Sequence, residues 1–432
     1  MLFLTWRSRG IAAPNPRRKY KSPMKRVLLV AATTGYQVRE FAEAARALDV
    51  ELVLATDRCH ILENPWGDDA APVRFQDPEP GIEALAARGP FDGVVAVGDR
   101  PACVAAQAAE RLGLRFHPAE AARAAANKFL SRERFRASGM AVPEFRRIPL
   151  ADAPLADVRF PCVLKPLDSS ASRGVIRANN REEFRIAAER IARIQTGDLL
   201  VEDYIPGREF ALEGMVTAGK LQTLALFDKP DPLEGPFFEE TIYVTPSREP
   251  EHIQREIRET AQAAVTALGL TDGPVHAEMR VNENGVWILE AAARPIGGLC
   301  ARVLRFAAPH LAGSYCTMEQ LLLHHALGED VSSATLAPGS HGVMMIPIPH
   351  AGIYRGVRGL EDARRVPGVE DVVITAKEGQ EMLPLPEGSA YLGFLFFRAA
   401  SADRVEEGLR EAHRLLDFDL PAVLQVVKPV VH

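Results

Sequence analysis

The chain has 432 residues, 47% of them hydrophobic and 25% charged, an ordinary globular composition that argues against long disordered or fibrous segments. The 51 Lys and Arg against 57 Asp and Glu give a net charge of −6, which argues against a general nucleic-acid or anionic-membrane binder. The five cysteines form no C-x-x-C pair, which excludes a zinc ribbon and a disulfide scaffold and predicts a reducing cytoplasm, and no apolar stretch is long enough to span a bilayer.

Residues 1–23 differ from the rest of the chain. They are rich in basic side chains, contain no acid and show no apolar period. They lack the apolar core of roughly 7–15 residues that a signal peptide needs. An Arg-rich start without acids can mimic a transit peptide, and the missing amphipathic pattern makes this the minor alternative. Because Met24 leads directly into an apolar run, we predict that 1–23 is a disordered tail or that Met24 is the natural start.

Residues 24–115 alternate between predicted strands and helices, which favours a Rossmann-like parallel sheet covered on both faces. The strands are predicted at Val27–Ala31, Glu51–Ala55 and Gly93–Val97, and the helices at about 37–48 and 101–112. The first turn, 32–36, suits anion binding because it follows a strand and opens a helix. With one glycine it does not match a dinucleotide fingerprint, and a plain turn is favoured.

Residues 116–330 are predicted to form a second unit. The predicted elements are a helix at 127–139 capped by Asn127, a strand at 160–166, a small-residue loop at 168–174, a strand at 175–177, a helix at 181–194, two or three antiparallel strands at 199–229, a helix at 251–269 and a hairpin at 275–291. A G-x-x-x-x-G-K match at 214–220 is followed by Leu221, where a phosphate loop needs Ser or Thr, so we predict a hairpin turn there.

After residue 331 the pattern changes, and 331–432 is predicted to be a separate small α+β domain. Its strands are expected at Gly342–Ile348, Val369–Thr375, Ala390–Arg398 and Val423–Val427, and its helices near 360–366 and 402–416.

The predicted hairpin carries two carboxylates that can face each other. If Gly285 occupies the left-handed position of a three-residue loop at 283–285, Asn282 pairs with Val286. Glu278 then lies opposite Glu290, and opposed carboxylates destabilise a sheet unless a cation such as Mg²⁺ binds between them. A register one residue different would leave two surface Glu residues on different faces.

Several side chains near this hairpin could bind a phosphorylated ligand. Arg294 offers a planar fork for a phosphoryl group, unless it is a solvated residue at a helix start, and Gly297 and Gly298 permit close approach of the backbone. Lys128 and Lys165 are candidate phosphate contacts, although a single Lys is more often a solvated surface group. The segment 202–209 can hydrogen-bond an adenine edge and offers Glu209 to a ribose diol, or it is a β-turn with solvated acids.

The order of these motifs resembles the ATP-grasp superfamily of carboxylate–amine ligases. The motifs are Asn127-Lys128, Val163-Leu164-Lys165-Pro166 with its Ser/Gly loop, Glu202-x-Tyr204-Ile205-x-Gly207-x-Glu209, His276-x-Glu278 and Glu290-x-x-x-Arg294. The resemblance covers about 25–330 and implies an ATP-grasp fold of α/β and α+β type, with a nucleotide lid at about 127–198.

The resemblance also implies ATP and Mg²⁺ as cofactors and assigns the site residues. It implies phosphate binding by Lys128 and Lys165 under a lid loop that includes Ser169, Ser170 and Gly174, adenine binding by Glu202, Tyr204 and Ile205, ribose binding by Glu209, and magnesium binding by Glu278 and Glu290. Two departures are Ala292, where most of these enzymes carry Asn, and a nucleotide loop with one glycine instead of several.

The run Glu290-Ala-Ala-Ala-Arg294-x-x-Gly297-Gly298, together with His276-x-Glu278, is similar to the bacterial L-amino-acid ligases, which make dipeptides. Residues 342–352 also resemble their C-terminal domain. This likeness implies amino acids as the carboxylate and amine substrates, and it leaves the oligomeric state open, although dimers are common in the family.

The expected reaction is phosphorylation of one carboxylate by ATP, followed by attack of an amine on the acyl phosphate. Lys165 and Arg294 are the expected catalytic residues, and His276, Arg294, Gly297 and Gly298 the expected substrate contacts, with Lys229 and Glu240 as further pocket candidates. The alternatives are an ATP-grasp ligase acting on a carboxylate that is not an amino acid, and a nucleotide-binding protein without catalysis, which Ala292 favours.

Overall fold

The computed structural model describes residues 24–32, 37–57, 70–152, 158–308 and 315–422. Three predictions fall outside these residues: the tail at 1–23, all but the first residue of the turn at 32–36, and the strand Val423–Val427. Within the described part, no helix is both long enough and apolar enough to cross a membrane.

A parallel four-stranded sheet forms the N-terminal part, as predicted. Its elements in chain order are β1 (Arg26–Ala31), α1 (Val38–Ala47), β2 (Glu51–Thr56), β3 (Ala71–Pro72), α2 (Glu79–Arg88), β4 (Gly93–Val97) and α3 (Asp99–Leu112). The strand order is β3–β2–β1–β4, and every pair is parallel. Because α1 and α3 begin just beyond β1 and β4, their first residues lie at the carboxyl edge of the sheet, where ligands bind in open α/β folds.

The next segment forms a four-stranded antiparallel sheet, here called the lid. Its elements and the two helices before it are α4 (Ala119–Ala126), α5 (Lys128–Ala137), β5 (Phe145–Pro149), β6 (Cys162–Pro166), β7 (Ile176–Ala178), α6 (Arg181–Ala192) and β8 (Asp198–Asp203), with a short 3₁₀ helix at Leu150–Asp152. Asn127 caps α5 as predicted, since its side chain accepts a hydrogen bond from the backbone N–H of Leu130 at 3.1 Å. The lid has its own apolar core, in which α6 packs against the sheet.

The central sheet begins with long antiparallel strands. In chain order the elements are β9 (Arg208–Thr217), β10 (Lys220–Lys229), β11 (Ile242–Thr245), α7 (Glu251–Leu268), β12 (Gly273–Asn282) and β13 (Gly285–Ala292). Ala218 and Gly219 join β9 to β10 with φ of 49° and 78°, so the G-x-x-x-x-G-K match is a hairpin turn, as predicted. The predicted strands at 199–229 are thus three, of which β8 belongs to the lid.

The predicted loop of the β12–β13 hairpin is wrong, although the pairing deduced from it is right. Asn282 pairs with Gly285, so the loop has two residues instead of three. The extra residue is Leu289, which bulges between the pairs Met279–Ile288 and Glu278–Glu290. The bulge shifts the register by the same one residue that the longer loop would have supplied, and Glu278 and Glu290 therefore face each other.

The C-terminal part continues the central sheet. Its elements are a 3₁₀ helix at Cys300–Val303, β14 (Arg305–Ala307), β15 (Cys316–Thr317), α8 (Met318–Ala326), β16 (Thr335–Leu336), β17 (Ser340–Ile346), β18 (Gly352–Ile353), β19 (Gly356–Arg358), α9 (Leu360–Arg365), β20 (Val369–Ile374), β21 (Glu381–Met382), β22 (Gly393–Ala399), α10 (Ala402–Arg414) and β23 (Asp417–Asp419). The sheet order β13–β12–β9–β10–β11–β17–β22–β20 runs across residue 331. This part thus shares a sheet with the preceding unit, and the domain boundaries stay a prediction.

Two large apolar clusters join the N-terminal sheet to the central sheet. One contains Leu28 of β1 together with side chains of α3, α7 and β12, and the other contains Leu29 of β1 together with side chains of α1, α8 and β17. Alternate residues of β1 therefore enter different clusters, as expected of a strand buried on both faces. This packing holds the carboxyl edge of the N-terminal sheet beside the central sheet.

Candidate active site

A cavity of about 340 Å³ lies where the N-terminal sheet, the lid and the central sheet meet. Its volume is within the range of roughly 300–1,000 Å³ that is usual for small-molecule sites. Two predicted residues, Gly174 and the pocket candidate Lys229, do not line it. All the others do: Lys128, Lys165, Ser169, Ser170, Glu202, Tyr204, Ile205, Glu209, Glu240, His276, Glu278, Glu290, Arg294, Gly297 and Gly298.

The polar floor of this cavity is one face of the central sheet. Successive strand residues point to opposite faces, so His276, Glu278 and Arg280 of β12 share one face. Their neighbours on β9 are polar on the same face, since His276 lies opposite Glu213 and Arg280 opposite Glu209. The alternation of the two strands thus places five ionisable side chains together.

Lys229 of β10 is the cation at the centre of this face. Its Nζ lies 2.9 Å from Glu209, 2.8 Å from Glu240 and 2.7 Å from Glu278, and its side chain is 2% exposed. Burial lowers the pKa of Lys229, but the three carboxylates outweigh it and hold that pKa well above its ordinary value. Lys229 therefore occupies the point where the three acids converge.

Glu278 and Glu290 form the opposed pair that the sequence predicts, and both side chains reach the cavity. The Glu278 side chain is 19% exposed and that of Glu290 24%, so both are accessible to a ligand. Oxygen donors of this kind fit a hard divalent cation. Ala292, at the position of the usual Asn, is fully buried and offers no donor atom, so the pair would hold magnesium without that third side chain.

His276 is a buried imidazole held between two carboxylates. Its Nδ1 contacts Glu213, and its Nε2 lies 3.4 Å from Glu278. Burial lowers the pKa of His276, but Glu213 and Glu278 outweigh it and raise that pKa to about 9, so the ring is an imidazolium at neutral pH. The second oxygen of Glu213 accepts a hydrogen bond from the backbone N–H of Ile296 at 3.0 Å, which connects the histidine to the segment 294–298.

Arg294 is anchored by the N-terminal part of the chain. Its Nε donates to Asp99 Oδ1 at 2.8 Å, and its Nη2 lies 3.9 Å from Glu290. Asp99 is the first residue of α3, at the carboxyl edge of the N-terminal sheet. The anchor leaves the guanidinium on the cavity wall, beside Gly297 and Gly298.

Lys165 and Glu202 form a buried ionic group with a third residue, Arg132. Lys165 Nζ contacts Glu202 Oε1, and Arg132 Nε donates to Glu202 Oε2 at 2.9 Å. Burial raises the pKa of Glu202, but the two cations outweigh it and lower that pKa to about 2. Both oxygens of the Glu202 carboxylate thus contact cations. The sequence resemblance assigned Glu202 to adenine binding and did not predict these ion pairs.

Lys128 connects the lid loop to β13. Its Nζ donates to the backbone oxygen of Ser169 and lies 3.6 Å from Glu290.

Gly174, at the end of the loop, lies outside the cavity lining, and a Cβ there would come within 2.8 Å of the Pro166 side chain. Its φ of 72° also favours glycine, so it shapes the loop.

Aromatic rings and Arg280 shape the wall near residues 202–209. Tyr204 stacks on Phe238 with ring centroids 6.5 Å apart, and the Arg280 guanidinium lies 5.2 Å from the Tyr204 ring. Arg280 also donates to Glu209 at 2.9 Å and to the backbone oxygen of Ile205 at 2.7 Å. Glu209 is therefore held by two cations, Arg280 and Lys229.

Another part of the cavity wall is aromatic and sulfur-containing. It is lined by Tyr243, Cys300, Met345 and Tyr391. Burial raises the pKa of the Cys300 thiol and of the Tyr391 hydroxyl, so both side chains are neutral at physiological pH. This wall suits an uncharged, largely apolar group of a ligand.

The lid is docked on the C-terminal part of the chain. The backbone N–H of Gly174 donates to Pro386 O at 2.9 Å, and Arg173 Nε donates to Glu387 O at 3.0 Å. Arg190 of α6 forms a two-pronged ion pair with the Glu387 carboxylate, at 2.7 and 3.0 Å. We call these contacts with 386–387 the lid latch.

Comparison with known protein families agrees with this geometry. Residues 158–303 match the ATP-grasp domain, and residues 344–420 match the L-amino acid ligase C-terminal domain 2. The chain therefore contains an ATP-grasp domain. Its fold agrees with a crystal structure of an L-amino acid ligase from Bacillus licheniformis, which is 24% identical and superposes with a TM-score of 0.78 over 93% of this chain and 100% of that one.

Two curated relatives of this protein match it over only part of their length. An ATP-grasp enzyme of Aspergillus fumigatus, fsqD, is 25% identical over 308 residues, covering 60% of this chain and 53% of the relative. The alanine–anticapsin ligase of Bacillus subtilis is 28% identical over 219 residues, covering 44% of this chain and 46% of the relative. The chain thus spans about half the length of the curated relatives it matches.

Several residues of the ATP-grasp site were missed by sequence reasoning. They are Gln37, Asp99, Arg132, Glu213 and Arg280. Strand alternation could have indicated the last two, since Glu213 interrupts an apolar strand and Arg280 continues the period of His276 and Glu278. The carboxyl edge of a parallel sheet could have indicated Asp99.

Proposed function

We propose that this ATP-grasp protein is a Mg²⁺-dependent ligase that joins the carboxylate of one amino acid to the amine of another. The observation that carries the proposal is a single cavity in which two lysines, two opposed carboxylates and Arg294 come together. The amino-acid part is supported by the L-amino acid ligase C-terminal domain and by the likeness to an alanine–anticapsin ligase.

The nucleotide is assigned to the lid side of the cavity. Lys128 and Lys165, with the loop at Ser169 and Ser170, surround the place for the phosphates. The adenine is assigned to the segment 202–205 beside the Tyr204–Phe238 stack, and the ribose to Glu209. Glu202 also holds Lys165 in place, which keeps this cation ordered for the phosphates.

The reaction forms and breaks one bond in each of two steps. A carboxylate oxygen of the first amino acid attacks the γ-phosphorus of ATP, and ADP leaves. The amine nitrogen of the second amino acid then attacks the acyl carbon, phosphate leaves and the amine loses a proton. Positioning and charge neutralisation dominate phosphoryl transfer, and Lys165 and Arg294 supply both. Glu278 and Glu290 would hold magnesium, which supplies further neutralisation of the phosphates.

Gly297 marks the space assigned to the substrates. It lines the cavity, and a Cβ built on it meets no atom within 4 Å. We expect Gly297→Leu to fill this space and lower kcat/KM for amino acids by about tenfold or more, with a stability change within about 0.5 kcal/mol. Steady-state phosphate release and thermal unfolding measure the two effects.

Gly356→Leu is the matched control for this prediction, because Gly356 also has open space around its Cβ but lies outside the cavity. Equal activity of the two variants would place the substrates elsewhere.

The lid latch is expected to support nucleotide binding. In Glu387→Gln the ion pair with Arg190 is lost, while the backbone contacts of 386–387 remain. Since the pair is partly exposed, we expect KM for ATP to rise by about threefold to tenfold with little change in kcat. Glu361→Gln, which removes an exposed pair with Arg364, is the control. An unchanged KM for ATP in Glu387→Gln would contradict a role for the latch.

Phosphate release from ATP with Mg²⁺, across pairs of the twenty L-amino acids and with mass analysis of products, tests the function. A stimulated pair with a dipeptide mass supports the proposal and names the substrates. If no pair stimulates but another carboxylate does, the amino-acid assignment is wrong. If ATP only raises the melting temperature, the protein binds nucleotide without this catalysis.

A further inference from the structure

Gln37 lies at the start of α1, and its side chain lines the cavity. The residue is 3% exposed. Its Nε2 donates a 2.6 Å hydrogen bond to the backbone oxygen of Ile296, which fixes the orientation of the amide because a carbonyl can only accept. The Oε1 atom is fixed with it, and it is buried with no hydrogen-bond partner in the described part of the chain.

A buried acceptor without a partner calls for an explanation, because nearly all buried polar groups in folded proteins are hydrogen-bonded. Among the described residues, the polar groups around Ile296 already have partners. The backbone N–H of Ile296 donates to Glu213, and Glu213 also contacts His276. A molecule bound in the cavity is therefore the natural partner of Gln37 Oε1, and the group it offers there must be a hydrogen-bond donor.

We infer that Gln37 Oε1 accepts a hydrogen bond from the α-ammonium group of the amino acid whose carboxylate is phosphorylated. The inference rests on the proposed function. Arg294, assigned to the reacting carboxylate, precedes Ile296 by two residues, and Gln37 is bonded to Ile296 itself. An α-amino acid carries an acceptor and a donor group on adjacent carbons, which suits a guanidinium and an amide oxygen held by one short segment.

Gln37 thereby makes the site selective for amino acids over the same carboxylates without an amino group. The test compares the KM of each active amino acid with the inhibition constant of its des-amino counterpart, using L-alanine with propionate, L-leucine with 4-methylpentanoate and L-phenylalanine with 3-phenylpropanoate. The ratio of the two constants measures selectivity. It is determined for the wild type, Gln37→Met and Gln37→Glu.

We expect Gln37→Met, which has no acceptor oxygen, to reduce the selectivity ratio by about tenfold or more. Gln37→Glu loses the donor to Ile296 but keeps an acceptor, so it should retain the preference for the amino acid. A purely structural role through Ile296 predicts the opposite, since both variants would then lose activity and keep the wild-type ratio. Gln222→Met is the control, because Gln222 holds two backbone oxygens outside the cavity.

Three results would overturn the inference. An unchanged ratio in Gln37→Met, with the wild type active on amino acids, removes the role of Gln37 and leaves the proposed function standing. Absence of amino-acid-dependent phosphate release by the wild type removes the proposed function, and this inference with it. If Gln37→Met does not fold, Gln37→Glu decides, since loss of selectivity despite its acceptor oxygen contradicts the assignment.

Discussion

Arg294→Met should lower ATP-dependent turnover by about a thousandfold or more while the protein stays folded. The guanidinium lies on the cavity wall, 3.9 Å from Glu290, and is assigned to the charge that develops on the phosphoryl group and the reacting carboxylate. The expected loss falls mainly on kcat, because an interaction that strengthens in the transition state contributes little to substrate binding. Steady-state phosphate release gives kcat and KM, and circular dichroism verifies the fold.

Asp99 gives this prediction a second test. It touches Arg294 at 2.8 Å, so Asp99→Asn should keep a hydrogen bond, lose the ionic anchor and lower kcat by less than Arg294→Met does. Arg115→Met is the matched control, because Arg115 also pairs with an aspartate, Asp272, at 2.7 Å but lies outside the cavity. Near-normal turnover of Arg294→Met would remove Arg294 from the chemistry.

The sequence predicts the opposed carboxylates of the sheet floor correctly, because their placement follows from local rules. Strand alternation and hairpin pairing predict that Glu278 lies opposite Glu290. The result is right although the predicted loop is one residue too long, because the bulge at Leu289 restores the register. Bulges depend on packing around the strand, so the sequence alone favours the loop explanation.

The ion-pair partners of the predicted site residues depend instead on contacts between distant parts of the chain. Asp99 and Arg294 are 195 residues apart, and Arg132 and Glu202 are 70 apart. The packing of whole sheets brings these side chains together. Their separation along the sequence therefore gives no sign that they are in contact. The lid latch at 386–387 and the continuation of the central sheet into β17, β22 and β20 are of the same kind.

Glu202→Gln should lower the free energy of unfolding by about 3–5 kcal/mol. Glu202 is 3% exposed and Arg132 2% exposed, and the substitution leaves the guanidinium of Arg132 buried without its counter-charge. Urea unfolding of the wild type and the variant measures the difference. Glu182→Gln, which removes an exposed carboxylate paired with Arg185, should leave the free energy of unfolding nearly unchanged.

The stabilising contribution of the Glu202 ion pairs should disappear in acid. Burial raises the pKa of Glu202, but Arg132 and Lys165 bring it to about 2, below the ordinary value of 4.5. Since the folded-state pKa is depressed, its contribution is present above pH 4.5 and is lost as the pH falls toward 2. The stability difference between wild type and Glu202→Gln should therefore narrow over that interval, and a difference independent of pH would contradict the ionic origin.

Lys165→Met separates the contribution of the Arg132–Glu202–Lys165 group to stability from its contribution to ATP turnover. Glu202 keeps its bonds to Arg132 in that variant, so the loss of stability should be smaller than in Glu202→Gln. Turnover should nevertheless fall by about a hundredfold or more, because a phosphate contact is removed. If Lys165→Met is as unstable as Glu202→Gln but turns over ATP normally, Lys165 serves the fold and the phosphates are bound by other residues. The same pair of measurements thus decides whether the ionic group holds the lid, the nucleotide or both.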